Sequence, residues 1–390
     1  MPIAPDPSRM KAVLEKLVSF NTENPPGREV EAAQYLAEEL RNAGFDVRLD
    51  QFLPGRANVI ATFRNGDGPS FAFNSHIDVV PAGSGWAQDP FTLTEKEGNL
   101  YGRGSCDAKG PIVAMIEALR MLIAEPQAWR GTLIGAFVAD EETESKGAKH
   151  YVAQDAPKVD LVVVGEPTSN TTVTAHKGSL RPIIRVIGET AHSGTPNLGV
   201  NAIFKAARLL GLLEDHHAEV AKRCHHLVGG ASLTVTRVGG GHADNIVPDA
   251  CEFLVDRRMV PGEDEEVAKK EIMSLLETAR SEFGIQAEIV GYKPTTGGPT
   301  ETAPEHPIVK ASLEAGHAHG VADKELHGFQ GGCDLVHFRS IGAQGTVIGP
   351  GSLAVAHKPN EFVPIQEFVD ASRIYCDVAR RMLHESGAGN

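Results

Sequence analysis

Residues 70–76, SFAFNSH, carry apolar or small side chains at nearly every position and end in a histidine shortly before Pro81. A short apolar run bounded by turn residues predicts a buried strand. Runs of the same kind at 131–140 (GTLIGAFVAD) and 160–167 (DLVVVGEP) predict two more, and strand-like runs also cover 46–53 and 57–64. Helical apolar spacing covers 7–19, 28–44 (closing at Gly44) and 110–124, the last opened by Gly110 and Pro111. Strands alternating with helices predict an α/β domain with a mostly parallel sheet.

The pattern changes near Gly178. Residues 180–192, LRPIIRVIGETAH, alternate as a half-solvated strand does. A helix over about 199–222, strands at 231–238 and 246–257, a helix over 263–282 and a strand at 285–292 follow. That β-α-β-β-α-β order predicts a separate, ferredoxin-like α+β sandwich. KPTTGGPTETAP (293–304) is a linker back, after which a helix over 306–319, a strand at 344–348 and a helix over 364–385 resume the first character. The expected plan is one α/β domain, 1–179 and 294–390, interrupted by an inserted domain at 180–293.

Composition changes this picture little. The chain has 390 residues, 41% hydrophobic and 23% charged, ordinary values for a globular protein. No apolar run approaches the roughly 20 residues of a membrane span, so no membrane partner is expected. The start, MPIAPDPSRMKAVLEKL, lacks a basic stretch followed by an apolar core, so no signal peptide is expected. Five scattered cysteines (106, 224, 251, 333 and 376) with no Cys-x-x-Cys predict a reducing, cytoplasmic setting without disulfides or a cysteine metal cluster. A formal charge of −14 excludes nucleic acid as the expected partner.

The chemistry-bearing residues sit where predicted strands end. His76 and Asp78 stand two positions apart, so a strand would turn both to one face. The pair reads either as a structural histidine fixed by a carboxylate or as a metal-ligating histidine whose second nitrogen that carboxylate holds. Asp107 lies in a Gly-rich turn before a helix; Asp140, Glu141 and Glu142 follow one strand, Glu166 another, and His357 lies in a late loop. In an open α/β sheet these positions converge beyond the carboxyl ends of the strands. Converging carboxylates repel in a partly buried pocket unless cations are present. Two histidines with these acids suit two borderline divalent metals, zinc above all, with one acid bridging them and one glutamate left as base.

The segments SHIDVVP, GRGSCDAKG, DEETESKG, GEPT, AHSGTPNLGVNAI and AHKPNEF occur in an order that resembles the M20 family of dinuclear zinc amidohydrolases and metallopeptidases. The resemblance implies a zinc-exopeptidase-like catalytic domain with an inserted lid and dimerisation domain. It implies that His76, Asp107 and Glu166 hold one zinc and Glu142, Asp107 and His357 the other, with Co2+ or Mn2+ as substitutes. Asp78 then orients His76, Glu141 is the general base, and His192 donates to the oxyanion from the opposite subunit of a homodimer. Asn245 and Arg258 match positions that hold a substrate carboxylate, and Gly331 and Gly332 offer backbone that a ligand can approach. GGCD departs from the Gly-Gly-Thr-Ser-Asp of desuccinylases, whereas GPGSLAVAHKPNEF is nearer to acetylornithine deacetylases. The expected substrate is therefore an N-acyl amino acid or short peptide, foremost N-acetylornithine of arginine biosynthesis. A desuccinylase, broad aminoacylase, dipeptidase or carboxypeptidase is the alternative on the same site, and a silent metal-binding homologue the remote one. The remaining histidine pairs, 216–217 and 225–226, and His317 and His319 are expected on exposed helices.

Overall fold

A computed structural model describes residues 3–154 and 156–384. The chain forms two compact units: residues 1–174, 302–327 and 333–390, and residues 175–301 with 328–332.

The first unit is built on a sheet in which six neighbouring strands run in the order Asp46–Leu53, Arg56–Asn65, Gly131–Val138, Ser70–His76, Leu161–Val164, Gln344–Val347. The first two of these pairings are antiparallel, and the three joining the last four of these strands are parallel. Every residue of Ser70–His76 and of Leu161–Val164 is buried, as a parallel sheet covered on both faces requires. The helix Lys109–Ile123 packs on this sheet and against the helices Pro7–Ser19 and Ile365–Leu383. Thirteen of its 15 residues are buried, which explains an apolar run without a clear polar face. Side chains such as Ile112, Leu119 and Leu122, all fully buried, each contribute roughly 1.5–3 kcal/mol from removal of apolar surface from water.

The expected elements shorten at their ends. The strands anticipated at 131–140 and 160–167 stop at Val138 and Val164. Beyond Val138 the backbone enters the left-handed region at Asp140, with φ 73°. Beyond Val164, Pro167 lacks the N–H a ladder needs. The helix expected over 364–385 is Ile365–Leu383, and position 385 lies outside the described residues. A helix over Lys146–Ala153 was not anticipated; it has eight residues and buries only Gly147, Ala148 and Tyr151, too little for a periodic signal.

The second unit is a four-stranded antiparallel sheet in the order Ser232–Gly240, Ala250–Met259, Gly178–Ile187, Gln286–Lys293. Helices Ala202–Val220 and Glu265–Phe283 share a core with it, including Leu180, Ile184, Leu209, Phe253 and Ile272. The β-α-β-β-α-β order is as the pattern predicts. Ala250–Met259 alternates buried and half-buried at every step, which fixes its register, because a one-residue slip would expose the whole apolar set. Asn201 and Asp264 cap the two helices through N–H groups of Phe204 and Val267. The strand expected from 246 begins only at Ala250, because Val247 bonds to the Ala191 carbonyl and Pro248 cannot donate. Within the expected linker, Thr300 and Glu301 pair with His176 and Ala175.

Candidate metal centre

The carboxyl ends of the parallel strands carry the site. His76 is the last residue of its strand; Glu141 and Glu142 follow Val138, Glu166 follows Val164, and His357 lies in the loop after Val347. Asp107 lies in the turn before Lys109–Ile123. A Cβ on Gly110 would come within 2.2 Å of the Ser105 carbonyl, so the tight entry to that helix needs glycine there. A Cβ on Gly349 would lie 2.4 Å from the Glu166 carbonyl, so the loop leading to His357 can pass this close only as glycine.

These six side chains come together. Asp107 Oδ1 is 3.1 Å from His76 Nε2 and its Oδ2 is 3.1 Å from His357 Nε2, so one carboxylate spans two histidines. His357 Nε2 is also 3.1 Å from Glu142 Oε2, and His76 Nε2 is 3.9 Å from Glu166 Oε2. Potential donor atoms of His76, Asp107 and Glu142, and likewise of His76, Glu141 and Glu166, lie within 4.8 Å of one another. The side chains of His76, Asp107, Glu142 and Glu166 are at most 7% exposed, whereas His357 is 52% exposed and held at φ 62°.

The electrostatics match a cation site. Burial and the neighbouring Glu166 charge push the Glu141 carboxyl well above its ordinary range. Burial, against the pull of His76, does the same to Glu166, and burial with Asp107 raises Glu142. Burial alone would raise Asp107, but hydrogen bonds from His357 and His76 outweigh it and hold it low. Asp107 and Glu142 in turn raise His357 to about 10. Protons on the histidines and glutamates stand here for the positive charge that four carboxylates demand. Glu142 Oε1 is buried with no hydrogen-bond partner among the described residues, an acceptor open to a cation. The His76 Nδ1–H donates to the Asp78 carbonyl at 2.9 Å, so Nε2, hydrogen-bonded to Asp107 here, is the nitrogen that would turn a lone pair to a cation. Carboxylate and imidazole donors in this arrangement fit a pair of divalent cations.

Asp78 differs from expectation. Its carboxylate is 3.7 Å from His76 Nδ1, and the backbone carbonyl takes the histidine bond instead. The strand ends at His76, so the period that would align the two side chains no longer applies. The carboxylate accepts the N–H groups of Glu141 (3.0 Å) and Glu142 (3.1 Å), and an amide N–H of Asn24 (2.9 Å). Asn24 and Arg56 extend the network: Arg56 donates to Asn24 Oδ1 at 2.8 Å and pairs with Asp140 at 2.7 Å and Glu29 at 2.9 Å. Sequence reasoning missed both residues, since Arg56 opens a strand rather than following one, Asn24 follows none of the predicted strands, and neither lies in an acidic cluster.

His192, Asn245, Arg258, Gly331 and Gly332 belong to the second unit. His192 is exposed and bridges to Ile246, and the Asn245 carbonyl accepts the Ser193 N–H at 2.9 Å, so His192 and Asn245 share one loop pair. Arg258 lies on the sheet, its guanidinium on Asp256 at 2.7 Å, while Arg257 is buried on the other face against Glu263. Gly332 is close-packed: an added Cβ would lie 3.1 Å from Thr296. His225 is not helical. It sits in a short hairpin with Nδ1 accepting the Leu227 N–H and Nε2 3.2 Å from Glu301 Oε1, a hydrogen-bonded strut rather than a solvated ring.

The profile of "Peptidase family M20/M25/M40" matches residues 72–381. Acetylornithine deacetylase of Myxococcus xanthus is 32% identical over 97% of this chain and 98% of its own length. Acetylornithine deacetylase of Proteus mirabilis is 32% identical over 87% of this chain and 86% of its own. Among solved structures, an M20 family metallo-carboxypeptidase from Sulfolobus solfataricus superposes with a TM-score of 0.79 at 18% identity, covering 96% of this chain and 99% of that one. Aminopeptidase PepT from Bacillus cereus gives 0.78 at 22% identity, covering 97% and 99%. A match along most of the chain, joined to the two-histidine carboxylate cluster at its strand ends, means that the chain belongs to the peptidase family M20/M25/M40 and is a hydrolase of amide bonds.

Proposed function

We propose that the chain is a dinuclear zinc amidohydrolase that removes the acyl group from an N-acyl amino acid, foremost N-acetylornithine. The observation that carries the metal reading is Asp107, whose two oxygens face His76 and His357 at 3.1 Å each. The substrate reading rests on the acetylornithine deacetylases that align along most of the chain.

His76, Asp107 and Glu166 would hold one zinc, and Glu142, Asp107 and His357 the other. When bound, the two cations would supply a Lewis acid for the amide carbonyl and lower the pKa of bound water to about 7. Glu141 stays free of that duty. Without cations burial and Glu166 shift its carboxyl towards the protonated form. Positive charge beside it reverses that preference, so it can take a proton from the attacking water and return it to the leaving nitrogen. Asp78 holds the Glu141 and Glu142 backbone, so base and ligand keep a fixed spacing. His192 would offer an N–H to the oxyanion from the partner subunit, and Asn245 and Arg258 would hold the substrate carboxylate. The second unit would serve as lid and dimerisation domain, in the cytoplasm.

The test is a turnover screen of zinc-loaded protein against N-acetylornithine, N-succinyl-diaminopimelate, other N-acetyl amino acids and dipeptides. The proposal predicts the highest kcat/KM on N-acetylornithine. A dipeptide or the succinyl compound turned over faster would overturn the substrate, and no amide turned over would overturn the activity.

A further inference from the structure

Four residues after His357, Glu361 is completely buried. Its Oε1 accepts the backbone N–H groups of Cys106 and Asp107, both at 2.9 Å. Its Oε2 pairs with the guanidinium of Arg103, also buried. The Glu361 carbonyl accepts the Gly102 N–H at 3.0 Å. One residue of the loop that carries His357 thus grips both ends of the turn that carries Asp107. Arg103 is fixed in turn, with a second nitrogen donating to the Pro81 and Ala82 carbonyls at 3.4 Å and its guanidinium over the Trp86 ring.

A carboxylate is a costly way to fill this space. It puts another negative charge beside Asp107, and a buried ion pair adds little stability compared with apolar side chains of the same volume. The arrangement repeats what Asp78 does at the neighbouring strand end. There too a buried carboxylate accepts two consecutive N–H groups of a site-bearing turn and is held from behind, by Asn24. We infer that Glu361 is a positioning residue: it fixes the backbone at Asp107 so that the carboxylate presents one oxygen to each histidine. The inference rests on the two-cation reading of the site and extends it to a residue that is not itself a ligand.

The experiment is zinc titration of the metal-stripped full chain, by competition with a chelator, for wild type, Glu361→Asp, Glu361→Gln and the double variant Arg103→Met/Glu361→Gln. Glu361→Asp keeps the charge but is too short to reach both the N–H pair and Arg103. Zinc affinity should fall about 10–100-fold in each variant, the usual cost of losing a group that orients a ligand. The double variant removes the unpaired guanidinium, so its melting temperature should recover relative to Glu361→Gln while its zinc affinity stays low. A double variant that regains wild-type affinity, or a folded Glu361→Asp or Glu361→Gln that binds zinc as tightly as wild type, would overturn the inference and leave the two-cation reading standing. A wild type that takes up no zinc would overturn both.

Discussion

The Asp78 carboxylate accepts the backbone N–H of Glu141 at 3.0 Å. This bond joins the end of one parallel strand to the turn after the next, and it places the proposed base by its main chain rather than its side chain. Replacing Asp78 with Asn leaves one acceptor oxygen and turns an amide donor towards an N–H. Stability should fall by roughly 1–3 kcal/mol, the cost of an unsatisfied buried group. Zinc affinity should fall about 10–100-fold, because Glu142 shares the support. Urea unfolding and zinc titration measure the two effects separately, and unchanged affinity would show that Asp78 is structural only.

Glu141→Gln should keep both metals and lose about 10²–10⁴-fold in kcat, the range of general-base catalysis. Metal analysis beside steady-state kinetics distinguishes this from loss of a ligand. If metal content drops in step with activity, Glu141 is a ligand and the base lies elsewhere.

The site was legible where chemistry and strand ends coincide. His76, Asp107, Glu142, Glu166 and His357 each stand beyond an apolar run or in a glycine-rich turn, so acids in such places were conspicuous. Asn24, Arg56 and Glu361 were not, because they act by bonding to backbone or to one another across long stretches of chain, which no local pattern records. Glu361 lay within AHKPNEF, yet nothing there marks it as facing the Asp107 turn. Alternation gave the sandwich strands well, as in Ala250–Met259. Two- to four-residue strands such as Thr300–Glu301 lack the length for a period to show.

His176 sets an acid limit on stability. It is fully buried; its Nδ1–H donates to the Lys177 carbonyl at 3.0 Å, and Nε2 has no hydrogen-bond partner among the described residues. Burial, only partly offset by that bond, lowers its pKa from 6.5 to about 4. The unfolded chain therefore binds this proton more readily, so the contribution is complete above pH 6.5 and lost as pH falls towards 4. By linkage it amounts to roughly 3 kcal/mol at the lower limit. His176→Asn, which can still donate to the carbonyl, should flatten the decline in urea midpoint between pH 7 and pH 5. An equal decline in both proteins would contradict this.

Mixed dimers test the proposed contribution of His192. Glu141→Ala and His192→Ala homodimers should both be nearly inactive. In a heterodimer one site carries both defects and the other neither, so random exchange should restore about a quarter of wild-type activity by two-fold symmetry. No recovery after verified exchange would mean that His192 acts within its own chain or not at all.

If Asp107 joins two cations on which amide hydrolysis depends, metal content and N-acetylornithine turnover must change together between wild type and Asp107→Asn, and both can be counted in one preparation. Two zinc ions per wild-type chain are expected, with activity lost on chelation and regained on adding zinc, and neither site retained at wild-type affinity in Asp107→Asn. A chelated wild type that still hydrolyses the substrate at full rate, or an Asp107→Asn variant that holds both ions as tightly as wild type, would contradict it.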